Sequence, residues 1–257
     1  LIFGFIHIYF PADNYSFERL HIFLFNLCTG GTILLYYTQG RVKVSRTVSF
    51  FPLGFSFPLS LITLSLVFSM LKKIEGSSAK VLMEACFWTI TLGVIIFFVF
   101  ILFETLIPQI FVTAALFTAV VIVFLFYINF ADKIQQKLFL TSGIGFLILT
   151  AISGIVYICM QMSQGYDPSK TKWLLHMHVF ASLYGWNLCG LSVMCRFDDF
   201  PIKLHSPTVI FIHWLTAIVL APLGVFYGGF AIFAIIGYSF ITLTLFFNSN
   251  NRKIAND

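Results

Sequence analysis

Long apolar runs broken by short polar stretches fill this chain almost end to end. About 20 consecutive apolar residues are needed to cross a bilayer as a helix. The runs from Phe17 to Thr38, Val81 to Phe103, Ile107 to Phe130, Leu138 to Met160, Thr171 to Cys195, Thr208 to Tyr227 and Phe230 to Phe247 reach or approach that length. Val48 to Met70 is also long enough, but Pro52, Gly54 and Pro58 interrupt its first half. Leu1 to Phe10 reads as the end of a further helix, and Asn248 to Asp257 as a polar tail. The pattern predicts an all-α protein: one polytopic transmembrane helix bundle over residues 1–257, of about eight spans plus an N-terminal remnant. The sequence begins inside an apolar run without Met, so an N-terminal part is expected to be missing.

Composition agrees with the pattern. Hydrophobic residues make up 59% of the chain and charged residues 10%, against about 25% charge in a soluble domain. The mean hydropathy is +0.96. The first expected partner is therefore the lipid bilayer, and the expected location is an integral position in a bacterial inner (cytoplasmic) membrane or an organelle inner membrane. The net charge of +5 sits in short loops between spans, where it reads as a topology signal and not as a nucleic-acid surface. The five cysteines are scattered without a Cys-x-x-Cys. Covalent c-type haem, a four-cysteine zinc site and a cysteine-ligated iron–sulfur cluster are not indicated.

The segment Val48 to Met70 decides which loops share a side. If it crosses, the basic residues divide with a modest bias. If it re-enters on one side, only Arg19, Lys170 and Lys172 remain on the poor side, which the positive-inside rule favours. Its length favours crossing. Re-entry would place His21, His176 and His178 near one outer surface. Crossing would put His21 at the opposite surface, where His213, His205 and His7 are its depth-matched partners.

Candidate chemistry centres on the helix around His176-Met-His178. Side chains two apart on a helix point about 200° from each other, so the two imidazoles serve nearly opposite faces. Histidine within a membrane span is uncommon and usually functional. It is also the usual axial ligand of b-type haem, and helices of a bundle can clamp the ring from both sides. Gly185, seven residues after His178, would let a macrocycle approach the backbone. The competing reading is that both are buried histidines bonded to backbone carbonyls or interfacial water. His213, next to Trp214, is a further candidate ligand, set against a role as a polar anchor. Arg19, beside Glu18 and two residues from His21, could hold a haem propionate or match the helix dipole. Glu84 and Glu104 mark the two ends of one span, and Gly224-x-x-x-Gly228 is a small-residue packing motif.

His176-Met-His178-Val-Phe-Ala-Ser-Leu-Tyr-Gly185-Trp186 resembles the His-x-His…Gly-Trp helix of the haem–copper oxidase subunit I superfamily and its NnrS-like relatives. Arg19-Leu-His21 is similar to the family's early Arg-x-His helix. The resemblance implies that His178 and His21 ligate one low-spin haem and that His176 faces a second haem site. The family's copper ligands have no counterpart, because no histidine lies between His21 and His176. The implied protein is a membrane haem-b electron-transfer subunit of a respiratory-type complex. It would carry one or two haems, pass electrons between quinone and a partner redox protein, and assemble with other subunits. The reading from a different class is a cofactor-free scaffold or transporter-like subunit. A third is a metal-handling or gas-sensing protein using His176 and His178.

Overall fold

A computed structural model describes residues 57–71, 77–103, 105–200, 202 and 206–247. Among them the chain is helical throughout: α1 (Phe57–Ser69), α2 (Ser77–Leu102), α3 (Leu106–Phe130), α4 (Lys137–Gln161), α5 (168–195), α6 (Pro207–Phe226) and α7 (Gly228–Phe247). The extended pairing among the described residues is a single bridge, Leu71 with Ala131. It ties the end of α1 to the end of α3, and Asp132 N–H donates to the Met70 carbonyl over 3.1 Å.

Among the described residues five helices, α2, α3, α4, α6 and α7, are long and apolar enough to cross a membrane, which makes the chain an integral membrane protein. Their lipid-facing sides are apolar. Phe103, Ile107, Phe111, Ile232, Phe233 and Ile235 are all well exposed, and such exposure is stable only against acyl chains.

The described residues therefore show five of the expected eight spans, for three reasons. The runs Leu1 to Phe10 and Phe17 to Thr38 lie outside the described residues. Residues 168–195 are long enough but carry His176, His178, Ser182, Asn187 and Ser192, which makes α5 less apolar than its neighbours. The run Val48 to Met70 is described as helix only from Phe57, with Pro58 in the first turn. Thirteen residues at about 1.5 Å each give about 20 Å, short of the roughly 30 Å hydrocarbon core. The described part of this run is therefore too short by itself to count among the crossing helices. Pro52, Gly54 and the loop Arg41 to Arg46 lie outside the described residues.

α1 runs parallel to the second half of α5. Trp186 Nε1–H donates to Ser60 Oγ at 2.6 Å, and one turn on, Gly190 receives Thr63 in direct contact. α2 to α5 follow one another through short turns, so neighbours are antiparallel. α6 and α7 turn back at Tyr227, and Gly224 brings the α6 backbone against Ala231. Gly228 has open space around it, because the helix breaks before it. The Gly224-x-x-x-Gly228 pair is therefore not one packing face. The core runs through the seam of these helices and contains Phe87, Tyr127, Phe139, Leu140, Ile144, Phe146, Trp186, His213 and Ile241.

α5 is one continuous helix with a π-helical stretch at Phe180–Asn187, since Val179, Phe180, Asn187 and Leu188 all keep right-handed helical torsions. α6 contains a second such stretch at Leu215–Leu220 and α7 a third at Leu243–Phe247. Such bulges release carbonyls from the regular ladder. The carbonyls at the end of α7 are taken up by Arg196, whose Nη1 donates to Phe246 O at 2.8 Å and Leu245 O at 3.3 Å. The same guanidinium pairs with Asp199 through Nε at 2.9 Å.

Candidate functional site at the start of α5

Asp167 starts α5. Its carboxylate accepts from Ser169 N–H at 2.9 Å and from Ser169 Oγ–H at 2.7 Å, and Pro168 occupies the first turn. This is the cap chemistry that orphan N–H groups at a helix start require. Both bonds favour the ionised form and hold the Asp167 carboxyl below its ordinary value of 3.8. The capping contribution is therefore complete above pH 3.8 and is lost as the pH falls through the lower folded value. Asp167→Ala is expected to lower the thermal midpoint of the detergent-solubilised chain near neutral pH. In the pH range where the wild-type carboxyl is itself protonated, the difference should shrink. An unchanged difference across both ranges would show that the cap does not act through its charge.

Trp173, Tyr227 and Phe230 are exposed at this same end of the bundle, as an aromatic belt at a membrane–water boundary would be. His176 lies three residues, about 4.5 Å, deeper than Trp173, and His178 about 7.5 Å deeper. The two imidazoles face different helices, as their spacing requires. His178 faces α4, where its Nδ1 is 3.2 Å from Ser153 Oγ. Gly154 leaves room for the ring, its absent Cβ position lying 3.4 Å from His178 Cε1. Ser153 is anchored in turn on the Thr150 carbonyl at 2.9 Å. His176 faces α6, edge-on to Phe226 with ring centroids 6.0 Å apart. Its Nδ1 is buried and has no hydrogen-bond partner.

The other candidates lie elsewhere. His213 sits beside Tyr184 and Cys189, 6–11 residues beyond His178 and so roughly 9–16 Å further along the α5 axis. It is completely enclosed. Its Nε2 bonds the Tyr184 carbonyl, its Nδ1 faces Cys189 Sγ, and the rings of Phe139 and Phe146 pack on it. With Nε2 held by the Tyr184 carbonyl and Cys189, Phe139 and Phe146 closed around the rest of the ring, no space is left beside His213 for a macrocycle, so in this arrangement it does not fit an axial haem ligand. Nor is Gly185 open to a macrocycle, because the Phe146 ring fills the space its missing side chain leaves. Phe146 itself stacks on Trp214, with centroids 4.1 Å apart and planes 13° apart. Trp214 Nε1–H donates to Ser142 Oγ at 2.7 Å. His21, Arg19, His7, His205 and Glu104 lie outside the described residues. Glu84 is exposed at the start of α2.

Among the described residues no group of three or more His, Cys, Asp or Glu side chains is placed to hold a metal ion. With His213 and Gly185 enclosed, the described histidines left to consider for haem are His176 and His178 at the start of α5. There the His178 ring is held on α4 by the Ser153 hydroxyl and by a backbone bond to Thr150, and second partners of this kind fix the orientation of ligating imidazoles. The residues that create this setting, Ser153 and Gly154, were not singled out in the sequence. A search for small residues spaced along one helix face would have found them, since such residues mark close helix contacts in membranes.

No protein-family model, curated protein or solved structure matches this chain.

Proposed function

We propose that the chain is a membrane subunit that binds haem b at the start of α5 and passes electrons between quinone and a partner redox protein. The observation that carries this reading is the pairing of a Ser153-anchored His178 with a buried, unpartnered His176 Nδ1 on one turn of helix. Haem would supply one-electron transfer without bond making. The chain's part is to orient and insulate. Ser153 holds the His178 ring, Gly154 lets α4 approach it, and Phe226 closes the side toward α6. By the family resemblance His21 takes the second axial position, and Arg19, two residues before it, would hold a propionate. The further spans needed for an eight-helix bundle, the respiratory-type complex and its inner-membrane location belong to the same proposal.

Reduced-minus-oxidised spectra of the purified chain should show a b-type band, and a pyridine haemochrome assay should find haem. His178→Ala is expected to abolish both signals, and His178→Ala protein that is folded but still carries haem would remove His178 as a ligand. Absence of haem from the wild type would sink the reading altogether.

The cofactor-free scaffold or transporter-like reading draws on one specific observation. The seam around His213, Phe146 and Gly185 is packed with no room for a macrocycle. It expects no bound haem and His176 and His178 variants that still assemble.

A further inference from the structure

Away from the start of α5, the chemistry-bearing side chains meet where α5 packs on α6. Cys189 and His213 are both 0% exposed, and His213 Nδ1 lies 3.9 Å from Cys189 Sγ. That separation is long for a thiol–imidazole hydrogen bond and suits two donors sharing one ion. With bond lengths like those of zinc, about 2.3 Å to sulfur and about 2.0 Å to imidazole nitrogen, two donors on one ion lie roughly 3.5 Å apart at a tetrahedral angle and roughly 4.3 Å apart in a straight line, and the observed separation falls between the two. The imidazole is already set as a ligand. Its Nε2–H donates to the Tyr184 carbonyl, which leaves Nδ1 as the bare nitrogen on the side of Cys189. Phe139 and Phe146 hold the ring. The π-helical stretch at Phe180–Asn187 includes Tyr184, whose carbonyl takes this bond, and bulges of this kind recur at functional sites.

We infer that Cys189 and His213 form a two-donor site for Cu(I), about 10 Å inside the start of α6. Softness selects the metal, since thiolate prefers Cu(I). Charge selects it again. One thiolate, one neutral imidazole and one monovalent ion sum to zero, which an apolar interior accepts, whereas a divalent ion would leave an uncompensated positive charge. A zinc-type set would need further ligands, and among the described residues none completes a group of three. On binding, the Cys189 S–H bond breaks, S–Cu and N–Cu bonds form, and the proton leaves to water. The copper stays at +1, so no electron donor or acceptor is required. This site is separate from the haem proposal and does not rest on it.

The test loads the full chain in detergent with one equivalent of Cu(I), anaerobically and in ascorbate, and then challenges it with a Cu(I) chelator. The expected result is about one copper retained per chain, with Cys189→Ser binding more than about tenfold weaker. X-ray absorption on the loaded wild type should show one sulfur and one nitrogen neighbour. Three results would overturn the site: folded wild type that retains no copper, Cys189→Ser that retains as much as wild type, or copper without a sulfur neighbour. Should Cys189→Ser fail to fold, the absorption spectrum of the wild type decides.

Discussion

Gly190→Ala should be among the most destabilising single-methyl additions in this chain, costing about 3 kcal/mol at the upper end of overpacking effects. The added Cβ would overlap three atoms of Thr63 at once, Oγ1, Cβ and Cγ2. Thr63 cannot turn away. It is β-branched and stiff at χ1, its hydroxyl donates to the Leu59 carbonyl at 2.9 Å, and it is fully buried. The contact therefore yields only by separating α1 from α5, which would also strain the Trp186–Ser60 bond one turn away. Thermal midpoints in detergent measure the loss. The double variant Thr63→Gly/Gly190→Ala moves the missing side chain from one helix to the other. It should be more stable than the sum of the single variants by about 1 kcal/mol or more. Simple additivity would mean that α1 does not pack on α5 as described.

His213→Ala should cost about 3 kcal/mol, since it removes a large buried ring and leaves a cavity between Phe139 and Phe146. It also strips the Tyr184 carbonyl of its imidazole donor inside the seam. The same variant separates two roles for histidine in this protein. Haem content per folded chain should be unchanged by His213→Ala and abolished by His178→Ala. Loss of haem in folded His213→Ala protein would place the cofactor in the α5–α6 seam and overturn its assignment to the start of α5. Thermal unfolding followed alongside the haemochrome assay reads both quantities from one preparation.

These expectations depend on residues of unequal legibility. The helices α2, α3, α4, α6 and α7 follow the apolar runs to within a few residues, because lipid exposure makes hydropathy nearly sufficient to place a span. The expected start of α5 at Thr171 falls three residues inside the observed one, because Asp167 caps the helix and Pro168 opens it before the apolar run begins. The two-face arrangement of His176 and His178 follows from helix geometry alone. α1 was harder to read. Its run has the length of a span, but only its last part, Phe57–Ser69, is described as helix, and Pro52 and Gly54 lie outside the described residues. The interruptions leave both crossing and re-entry open, and hydropathy within one segment does not choose between them.

The sequence by itself determined that this is an all-helical integral membrane protein, where its apolar helices lie, and that one helix presents imidazoles on two faces. Only the tertiary structure decided what each imidazole meets: Ser153 for His178, Phe226 for His176, and Tyr184 with Cys189 for His213. It also decided that Phe146, 39 positions away in the chain, fills the space beside Gly185. The physical reason is one of range. Hydropathy and helical period act within a single segment and are written in consecutive residues. The partner of a buried polar group is chosen when helices distant in sequence come together, and that choice has no local signature.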